Sequence, residues 1–561
     1  MPGLRKTSSK NKKLVVIGLD GGSFNVIDPL IEESKLPNIE KLMNEGVRGE
    51  LLSTIPPVTG PAWASFMTGK SPGSHGLFDF VKPLPNDFRR HVVNYQHIKS
   101  KTLWSILSEY DKKIGIINVP VTYPPPEVNG FLISGMPTPS IHSQYTYPAS
   151  LSQEIKEKFG EYILDIWWQH YGVRRIKDFI RDLIYCTVQR GSIALYLMQT
   201  RNWDFFMTVF IGTDRIQHAL WHYLSPANAR NLSKAELHVK ELIMKYYQTV
   251  DNIVGKMLRT VDGGANIIIM SDHGFGPLKG KFAINKWLEQ LGLLSYDHMK
   301  KRKFRLKTKF LPLLRQTARK VDFLNLRKKF LLTIRGPERM GAYTFLNCID
   351  WSKTTAYAAS NTEQGIYINL FGREPYGIIK PGNDYQEVRE LIIKNLRDFE
   401  DPRTKEPIVS RIYKREEIYS GPHMSIAPDI IFFLKEGEYL ANVQPLDHLF
   451  EGLSWKTGTG THRLEGIFIG YGKDMKNGIH IEDARIIDLA PTILNLMGIP
   501  IPDDMDGRAL REIFTDEFLK DNPPQYVEAG GADYSDTEGD RLYSDKEVAQ
   551  VEEKLRGLGY L

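Results

Sequence analysis

The most informative feature of this sequence is an ordered set of metal-ligand side chains around one candidate nucleophile. Four of these residues directly follow apolar, strand-like runs, and two more lie in turns rich in glycine or proline. Three carboxylates, three imidazoles and one hydroxyl suffice to hold two divalent ions and to activate an alcohol, which favours phosphoryl-transfer chemistry. The seven residues are Asp20, Thr59, Asp214, His218, Asp272, His273 and His462.

The spacing of these residues strengthens the interpretation. Asp214 and His218 are four residues apart, so one helical turn places both side chains on the same face, where they can share one ion. Asp272 and His273 are neighbours, so one ion can use both only if the backbone turns there, and Gly274 permits that turn. Any one of these residues alone is more often a cap or a hydrogen-bonded core group. It is the ordered series that favours a metal site.

Apolar runs that alternate with helical stretches must position these ligands. The runs KKLVVIGL, KIGIINV, FFMTVFI and NIIIM are apolar almost throughout, as expected of strands buried on both faces. Three of the four are followed by ligand residues, and open α/β sheets bind their ligands beyond the carboxyl ends of the strands. The sequence therefore predicts an α/β fold with a mostly parallel sheet, helices on both faces and an inserted basic helical segment.

Several motifs carry a resemblance to a known family. The combination DGG, PPVTGPAWASFMTGKSPGSHG, GTDRIQH, SDHG and GTHR resembles the alkaline phosphatase superfamily, in particular its type I phosphodiesterase and nucleotide pyrophosphatase branch. The resemblance runs from about residue 14 to about residue 507 and implies an alkaline-phosphatase-like sheet. The phrases INVPVTYPP, IDWSKTTAYA, GREPYGIIKPG, APDII and EEKLRGLGYL are similar to a bacterial and archaeal group of predicted phosphohydrolases and phosphomutases.

The resemblance implies a role for each of the seven residues. Thr59 would bind the second ion and attack phosphorus, because coordination to a divalent ion favours the alkoxide. Water activated by the first ion would complete the reaction. Mixed aspartate and histidine ligands suit zinc best, with manganese as the alternative. The first ion would be held by Asp214, His218 and His462, and the second by Asp20, Asp272 and His273.

Thr59 also has a structural interpretation. The sequence Thr-Gly-Pro-Ala is typical of a helix start, with Thr59 as N-cap and a proline in the first turn. The two interpretations are compatible, because a helix N-terminus presents free N–H groups and a positive dipole end to an anion. The Gly60 amide is thus a candidate to hold a phosphoryl oxygen while Thr59 attacks.

Phe80 departs from the family pattern. An asparagine shortly after the Ser-His-Gly motif donates to a non-bridging phosphate oxygen in the nucleotide pyrophosphatase branch, and Phe80, which cannot donate, takes its place here. Gly60, Lys70 and Asn118 are candidates for the missing donor. Phe80 itself is either part of an apolar pocket for the leaving group or an ordinary core aromatic.

The sequence argues against a sulfatase, the other activity that shares this superfamily fold. The formylglycine of sulfatases comes from cysteine or serine, which Thr59 cannot supply, and Cys186 and Cys348 lie far from that motif. Two cysteines in 561 residues make no disulfide framework. The apolar run after the basic N-terminus is too short for a signal peptide, and no run is long enough to span a bilayer, so we expect a cytoplasmic protein.

A strongly basic segment interrupts the motifs. Residues 300–340 contain 15 Lys or Arg against two acidic residues, a local charge of +13, so the rest of the chain carries −7 of the total of +6. Apolar residues interleave with these cations. Four interpretations are open: a lid over the site, a patch for anionic lipid, a nucleic-acid contact, which is less favoured, or a solvated insert.

We predict three parts of the chain. Residues 1–280 and 420–515 form the catalytic core, 281–419 form an insert or cap that includes the basic segment, and 516–561 form an acidic linker and a C-terminal helix. In that helix Val548, Val551, Leu555 and Leu558 recur at helical spacing, and Ser544 with Glu547 forms a capping box. We expect it to dock on the protein or on a partner.

The sequence therefore predicts a two-metal phosphodiesterase or nucleotide-pyrophosphatase-like enzyme that acts on a small phosphate ester or diester through a phosphothreonine. One alternative is a phosphomutase or phosphotransferase that passes the group to an alcohol instead of water. Another is a binding protein that retains the metals without catalysis. The intact ligand series favours an enzyme.

Overall fold

In a computed structural model of the chain, the structure describes residues 12–84, 87–225, 233–306, 344–530, 543–558 and 560. Its strands are β1 (Leu14–Leu19), β2 (Val47–Leu52), β3 (Val81–Leu84), β4 (Asp87–Val92), β5 (Ile114–Ile117), β6 (Gly130–Ile133), β7 (Thr146–Tyr147), β8 (Phe205–Phe210), β9 (Asn266–Met270), β10 (Gly274–Pro277), β11 (Gly280–Ala283), β12 (Ala356–Tyr357), β13 (Gly365–Ile368), β14 (Val409–Lys414), β15 (Ile430–Leu434), β16 (Tyr439–Asn442), β17 (Phe450–Glu451), β18 (Gly460–Arg463), β19 (Glu465–Tyr471), β20 (Ile479–Arg485), β21 (Ile501–Pro502) and β22 (Tyr526–Val527).

The helices before the basic segment are α1 (Phe24–Glu32), α2 (Pro37–Glu45), α3 (Thr59–Thr68), α4 (Pro72–His75), α5 (Leu103–Glu109), α6 (Leu151–Phe159), α7 (Ile176–Thr200), α8 (Gly212–Leu224), α9 (Lys234–Val261) and α10 (Ile284–Gln290). Residues 298–306 are also helical. Later helices span Asn383–Arg397, Arg415–Ile418, Leu489–Leu496 and Asp516–Asp521, and the C-terminal helix spans Asp545–Leu558.

A nine-stranded sheet in the order β20-β2-β19-β9-β1-β8-β5-β6-β7 forms the centre of the fold. Strand β1 pairs in parallel with β8 and β9, and β5 pairs in parallel with β8 and β6, whereas β19 runs antiparallel to both of its neighbours. Every residue of β1, β8 and β9 is buried. Because successive side chains point to opposite faces of a strand, both faces of the sheet are covered. The predicted α/β fold with a mostly parallel sheet is confirmed.

The apolar residues form two large cores. The main core surrounds the nine-stranded sheet and includes residues of the C-terminal helix. The second, called the insert core here, runs from Phe282 to Val443 and includes the sheet β12-β13-β15-β14. It extends beyond residue 419, because β15 pairs with β13 and β14, and this places a strand of the predicted catalytic core in the insert. The division into three parts otherwise stays a prediction.

The basic segment is described only in its first turns. Lys301 is largely buried and lies 3.0 Å from a carboxylate oxygen of Glu289, and Arg305 forms an ion pair with Asp447. The remainder of 300–340, from residue 307, lies outside the described residues. Across the described ranges, no helix combines the length and the apolar character that crossing a bilayer requires.

Candidate active site

Three neighbouring parallel strands bring the predicted ligands to one edge of the sheet. Leu19 at the end of β1 pairs with Phe210 at the end of β8, and Gly18 pairs with Met270 at the end of β9. The chain leaves these three strands directly before the aspartates, which explains why sites distant in sequence meet. Asp20 follows β1, Asp214 lies in the first turn of α8 after β8, and Asp272 and His273 follow β9.

The first group of ligands comprises Asp214, His218 and His462. Their ligand atoms lie within 4.8 Å of one another. One helical turn of α8 carries the first two, as predicted from their spacing, and β18 brings the third. Nε2 of His218 and Nε2 of His462 are 2.9 Å apart, and each is 3.3 Å from Oδ1 of Asp214.

The second group comprises Asp20, Asp272 and His273. Their ligand atoms likewise lie within 4.8 Å of one another. Nε2 of His273 is 3.2 Å from Oδ2 of Asp272 and 3.9 Å from Oδ1 of Asp20. The backbone turn predicted after β9 is present, since β10 begins at Gly274 and pairs with β18. The two groups adjoin, because the rings of His273 and His462 stack with centroids 3.6 Å apart.

The three aspartates share an arrangement that fits cations. In each, one carboxylate oxygen is held by a protein donor: Trp63 Nε1 on Asp20 at 3.1 Å, the Gly21 amide on Asp272 at 3.0 Å, and Arg215 on Asp214. The other oxygen of each is buried and accepts no hydrogen bond from any residue that the structure describes. Because buried polar atoms are otherwise almost always partnered, three such oxygens facing imidazoles fit two cations.

The three histidines are oriented for the same purpose. Nδ1 of His218, His273 and His462 lies 2.8–3.1 Å from the backbone carbonyl of Gly460, Gly274 and Pro57, respectively. A carbonyl oxygen only accepts, so each Nδ1 carries the proton and each neutral ring turns the lone pair of Nε2 into the cluster. Such carbonyl contacts are how proteins fix the tautomer of a metal-binding histidine.

The pKa values of the clustered side chains also favour bound cations. Burial raises the pKa of Asp20 well above its usual range, and the Asp272 and Asp214 carboxylates raise it further. Burial also raises the pKa of Asp272 and lowers that of His273 and His462. Divalent ions would offset the cost of burying the carboxylates and bind imidazoles that are already neutral, so the donor set fits them.

Arg215 is a site residue that the sequence analysis did not single out. Its guanidinium is buried, contacts Asp214 and lies 2.8 Å from Asp165. Burial opposes the ionisation of Asp214, but the nearby His218 and Arg215 hold its pKa well below the usual range. The only signal in the sequence is that Arg215 follows a ligand within the motif GTDRIQH. Trp168 was also missed, and its ring stacks on that of His218 at 5.5 Å.

Thr59 lies at the start of α3 beside the second ligand group. Its Oγ1 is 3.2 Å from Nε2 of His273 and 3.0 Å from the hydroxyl of Tyr560. The expectation that Thr59 is the N-cap is wrong, because Val58 occupies that position and Thr59 is the first helical residue. Its hydroxyl is therefore turned toward the histidine.

The predicted substrate-binding residues fall into two sets. Phe80 is fully buried against Gly60, where a side chain at position 60 would come within 3.2 Å of the ring, so both residues border the space beside Thr59. Lys70 follows the far end of α3, about 15 Å from Thr59 at 1.5 Å per residue, and pairs there with Asp504. The structure does not bring Lys70 to the site.

Asn118 is buried directly after β5 and serves the backbone. Its Nδ2 donates to the carbonyl of Val209 in β8 at 3.0 Å, and its φ of 64° places it in the left-handed region that asparagine tolerates. This arrangement ties two neighbouring strands together at the ligand edge. This contact uses one of the two protons of Nδ2 and fixes the side chain against the scaffold.

Comparison with known proteins agrees with this geometry. The family described as type I phosphodiesterase / nucleotide pyrophosphatase matches residues 14–453. Phosphonoacetate hydrolase from Sinorhizobium meliloti 1021, solved with phosphonoformate, is 12% identical with a TM-score of 0.52, over 86% of this chain and 94% of that one. Human ectonucleotide pyrophosphatase / phosphodiesterase 5 is 12% identical with a TM-score of 0.45, over 91% and 99% of the two chains. The likeness to phosphonoacetate hydrolase concerns the fold alone.

No functionally curated protein matches the chain in sequence. The family match nevertheless covers most of the chain and takes in all of the predicted site residues except His462. The chain therefore belongs to the type I phosphodiesterase / nucleotide pyrophosphatase family, which is metal-dependent, and it is a phosphoric ester hydrolase.

Proposed function

We propose that the protein is a two-metal, phosphodiesterase-like hydrolase that acts through a phosphothreonine at Thr59. The observation that carries the proposal is the position of the Thr59 hydroxyl. It lies at a helix N-terminus, 3.2 Å from Nε2 of His273, whose ring stacks on His462 of the other ligand group. The hydroxyl thus adjoins the second ligand group, which itself stacks on the first, and it lies at the end of a helix dipole that favours anions.

The ligand groups define which residues would hold the ions. Bound divalent ions would supply positive charge for the phosphoryl group and lower the pKa of the Thr59 hydroxyl and of water. Zinc suits the mixed oxygen and nitrogen donors best, with manganese as the alternative. Asp214, His218 and His462 would hold one ion, and Asp20, Asp272, His273 and Thr59 the other.

The chain's own residues would carry the group transfer. The Thr59 hydroxyl loses its proton to solvent, its Oγ1 forms a bond to phosphorus, the bond from phosphorus to the leaving oxygen breaks, and the electron pair departs with that oxygen, which takes a proton from solvent. The amide of Gly60, in the first turn of α3, would hold a phosphoryl oxygen. Water then attacks the phosphothreonine, and Oγ1 leaves and regains its proton.

The surroundings of Thr59 favour a diester. The ring of Phe80 lies against Gly60, and the cation of Lys70 is held at the other end of α3. A monoester dianion brings three non-bridging oxygens and two charges, whereas a diester brings one charge and a second substituent that an aromatic wall can accept. The site is thus better matched to a singly charged ester of a small alcohol or nucleotide.

The test compares Thr59→Ala with Thr59→Ser in metal-loaded protein, using bis(p-nitrophenyl) phosphate and p-nitrophenyl phosphate. We expect Thr59→Ala to lose at least about 10³-fold in kcat while metal content and Tm stay near wild type, because the attacking atom is removed. Thr59→Ser keeps the hydroxyl and should retain measurable turnover.

Three other outcomes are informative. Wild-type turnover in Thr59→Ala would mean that water attacks the ester directly. Transfer of the phosphoryl group to an added alcohol in preference to water would assign a phosphotransferase or phosphomutase to the same site. No turnover with both ions bound would identify a non-catalytic metal-binding protein.

A further inference from the structure

The C-terminal tail reaches the candidate nucleophile. Tyr560, the second residue from the end of the chain, has only 2% of its surface exposed, and its hydroxyl lies 3.0 Å from Oγ1 of Thr59. Its ring packs on Phe80, with centroids 4.7 Å apart. A residue 501 positions away in sequence therefore lies beside the candidate nucleophile, and its ring is 6.3 Å from that of His462.

The tail is anchored in the main core and so forms a fixed wall of the site. Val551 and Leu555 of the C-terminal helix are fully buried. Nζ of Lys554 donates to the carbonyl of Thr138 at 2.7 Å, and a carboxylate oxygen of Glu547 accepts from the hydroxyl of Tyr123 at 3.1 Å. These positions are spaced by four, three and one residues, so one face of the helix makes all of these contacts and fixes the tail that ends near Tyr560.

The direction of the hydrogen bonds makes Tyr560 the donor. Nδ1 of His273 faces a carbonyl and carries the ring proton, so Nε2 of that ring accepts, and Thr59 is the donor to it. Oγ1 of Thr59 therefore accepts from the remaining partner, which is the hydroxyl of Tyr560. The phenol thus aims its proton at the point where the reacting phosphoryl group must arrive.

We propose that Tyr560 is a catalytic residue whose hydroxyl donates a hydrogen bond to a non-bridging phosphoryl oxygen during transfer to and from Thr59. The proposal rests on the proposed function. Attack requires phosphorus to approach Oγ1 to about 3 to 3.5 Å. At that distance a phosphoryl oxygen comes within reach of a hydroxyl that is already 3.0 Å from Oγ1, and rotation of the O–H bond redirects the proton.

The other candidate donors leave room for this role. Phe80 has no donor, Nδ2 of Asn118 spends one of its two protons on the Val209 carbonyl and is held against β8, and Lys70 is paired at the far end of α3. The Gly60 amide holds at most one oxygen. Tyr560, whose ring covers Phe80, thus supplies the donor that the side chain at position 80 cannot.

Tyr560 keeps its proton throughout the reaction. In the first step the Thr59 hydroxyl loses its proton to solvent, its oxygen gains a bond to phosphorus, and the ester oxygen leaves with its electron pair and takes a proton from solvent. In the second step water supplies the oxygen that remains on phosphorus and the proton that returns to Thr59. The phenol therefore acts by stabilising charge on the phosphoryl oxygen, as donors in an oxyanion hole do.

The experiment measures kcat and KM of the full-length, metal-loaded protein with bis(p-nitrophenyl) phosphate. Tyr560→Phe removes only the hydroxyl, and we expect kcat to fall about 10- to 100-fold with KM changed less than about twofold. The matched control is Tyr543→Phe in the same tail. Tyr543 is buried, stacks on Tyr123 at 5.6 Å and has a hydroxyl without a hydrogen-bond partner, so its variant should match wild type.

Two outcomes would overturn the proposal. If Tyr560→Phe equals wild type, or if it and Tyr560→Ala turn over faster, the tail only fills or blocks the site. If both phenylalanine variants lose activity to the same extent, the effect comes from packing of the tail.

Failure of the proposed function is separable from failure of this inference. Absence of turnover in wild type would reject the hydrolase, and binding of orthovanadate to the metal-loaded protein then tests Tyr560 alone. At least about fivefold weaker vanadate binding by Tyr560→Phe, with Tyr543→Phe unchanged, would support the donor role. Equal binding by all three proteins would reject it.

Discussion

The main core and the insert core contribute different things to the site. The main core holds all seven predicted nucleophile and ligand residues, and the C-terminal tail that packs in it adds Tyr560. The insert core supplies none of the ligand groups identified in the described residues. Residues of the insert instead form hydrogen bonds with the residue just before Phe80. The ends of the parallel strands thus position the nucleophile and the ligand residues, whereas the insert positions Phe80 beside them.

The insert contacts the segment around Phe80 through buried polar groups. Asp79 accepts hydrogen bonds from the hydroxyls of Ser360 and Thr362, the latter at 3.0 Å. Arg90 lies 3.3 Å from the carboxylate of Glu363, and both side chains are almost fully buried. Because Phe80 follows Asp79 directly, these contacts position the aromatic wall of the site from outside the main core.

The largest expected effect comes from removing a ligand of the main core. His462→Ala should lower the metal content from two ions to one and reduce kcat by at least about 10³-fold, since Nε2 of His462 lies 2.9 Å from that of His218 in the first ligand group. Metal analysis and steady-state kinetics check both. His448→Ala, an exposed histidine near the insert core, should change neither. Unchanged stoichiometry in His462→Ala would break the assignment of ligands.

The same contrast explains what the sequence could predict. Each aspartate ligand follows an apolar strand within a few residues, and parallel pairing of β1, β8 and β9 then brings the three together. Each aspartate is recognised from the few residues around it. The general rule that open α/β sheets bind ligands beyond the carboxyl ends of their strands then predicts that the aspartates meet. The tail contact could not be predicted, because nothing near Tyr560 specifies a partner 501 residues away.

Two errors have identifiable causes. Lys70 was a poor candidate once a helix was predicted to start at Thr59, because the ten residues of α3 carry the backbone about 15 Å away from Thr59 before Lys70 is reached. The predicted boundary after residue 419 separates β15 from the insert strands β13 and β14 with which it pairs, because pairing between strands that are separated in sequence leaves no local signal. Long-range pairing is the part that local patterns leave undetermined.

An intermediate effect is expected from two buried arginines, one in each region. Arg215 bridges Asp165 and Asp214, and Arg373 contacts both carboxylate oxygens of Asp429 at 2.7 Å. Changing either arginine to methionine removes the nearest cation from a buried carboxylate, which should cost up to about 3 to 5 kcal/mol of unfolding free energy, and less for Arg373→Met because Arg415 stays 3.3 Å from Asp429. Denaturant unfolding measures this loss.

Activity separates the two variants. Arg215→Met also frees a ligand, so we expect about 10- to 100-fold weaker binding of metal and lower kcat at limiting metal. Arg373→Met should keep a kcat near that of wild type, because Asp429 lies in the insert core region and takes no part in the ligand groups. Equal loss of activity in both variants would show that the regions cannot be assigned separate roles.

The smallest expected effect is a pH dependence at the junction of the two regions. Burial, together with the neighbouring Glu363, raises the pKa of Asp79 to about 7. Between its ordinary pKa and this value the folded protein holds a proton that the unfolded chain has lost, so stability falls as pH rises from about 4 to about 7 and then levels off. Asp79→Asn removes this fall, because an amide does not ionise in this range.

The difference in Tm, variant minus wild type, should therefore be more positive at pH 8 than at pH 5. Contributions from the ligand aspartates are common to both proteins and cancel in this difference. Asp401→Asn is the matched control in the insert, because hydrogen bonds from Arg403 lower the pKa of Asp401. Its contribution is present throughout pH 5 to 8 and is lost only at more acidic pH, so its Tm difference should be nearly constant over this range. If the Tm difference for Asp79→Asn were equally constant, Asp79 would be ionised in the folded protein at pH 5. The insert would then hold a charged carboxylate directly before Phe80.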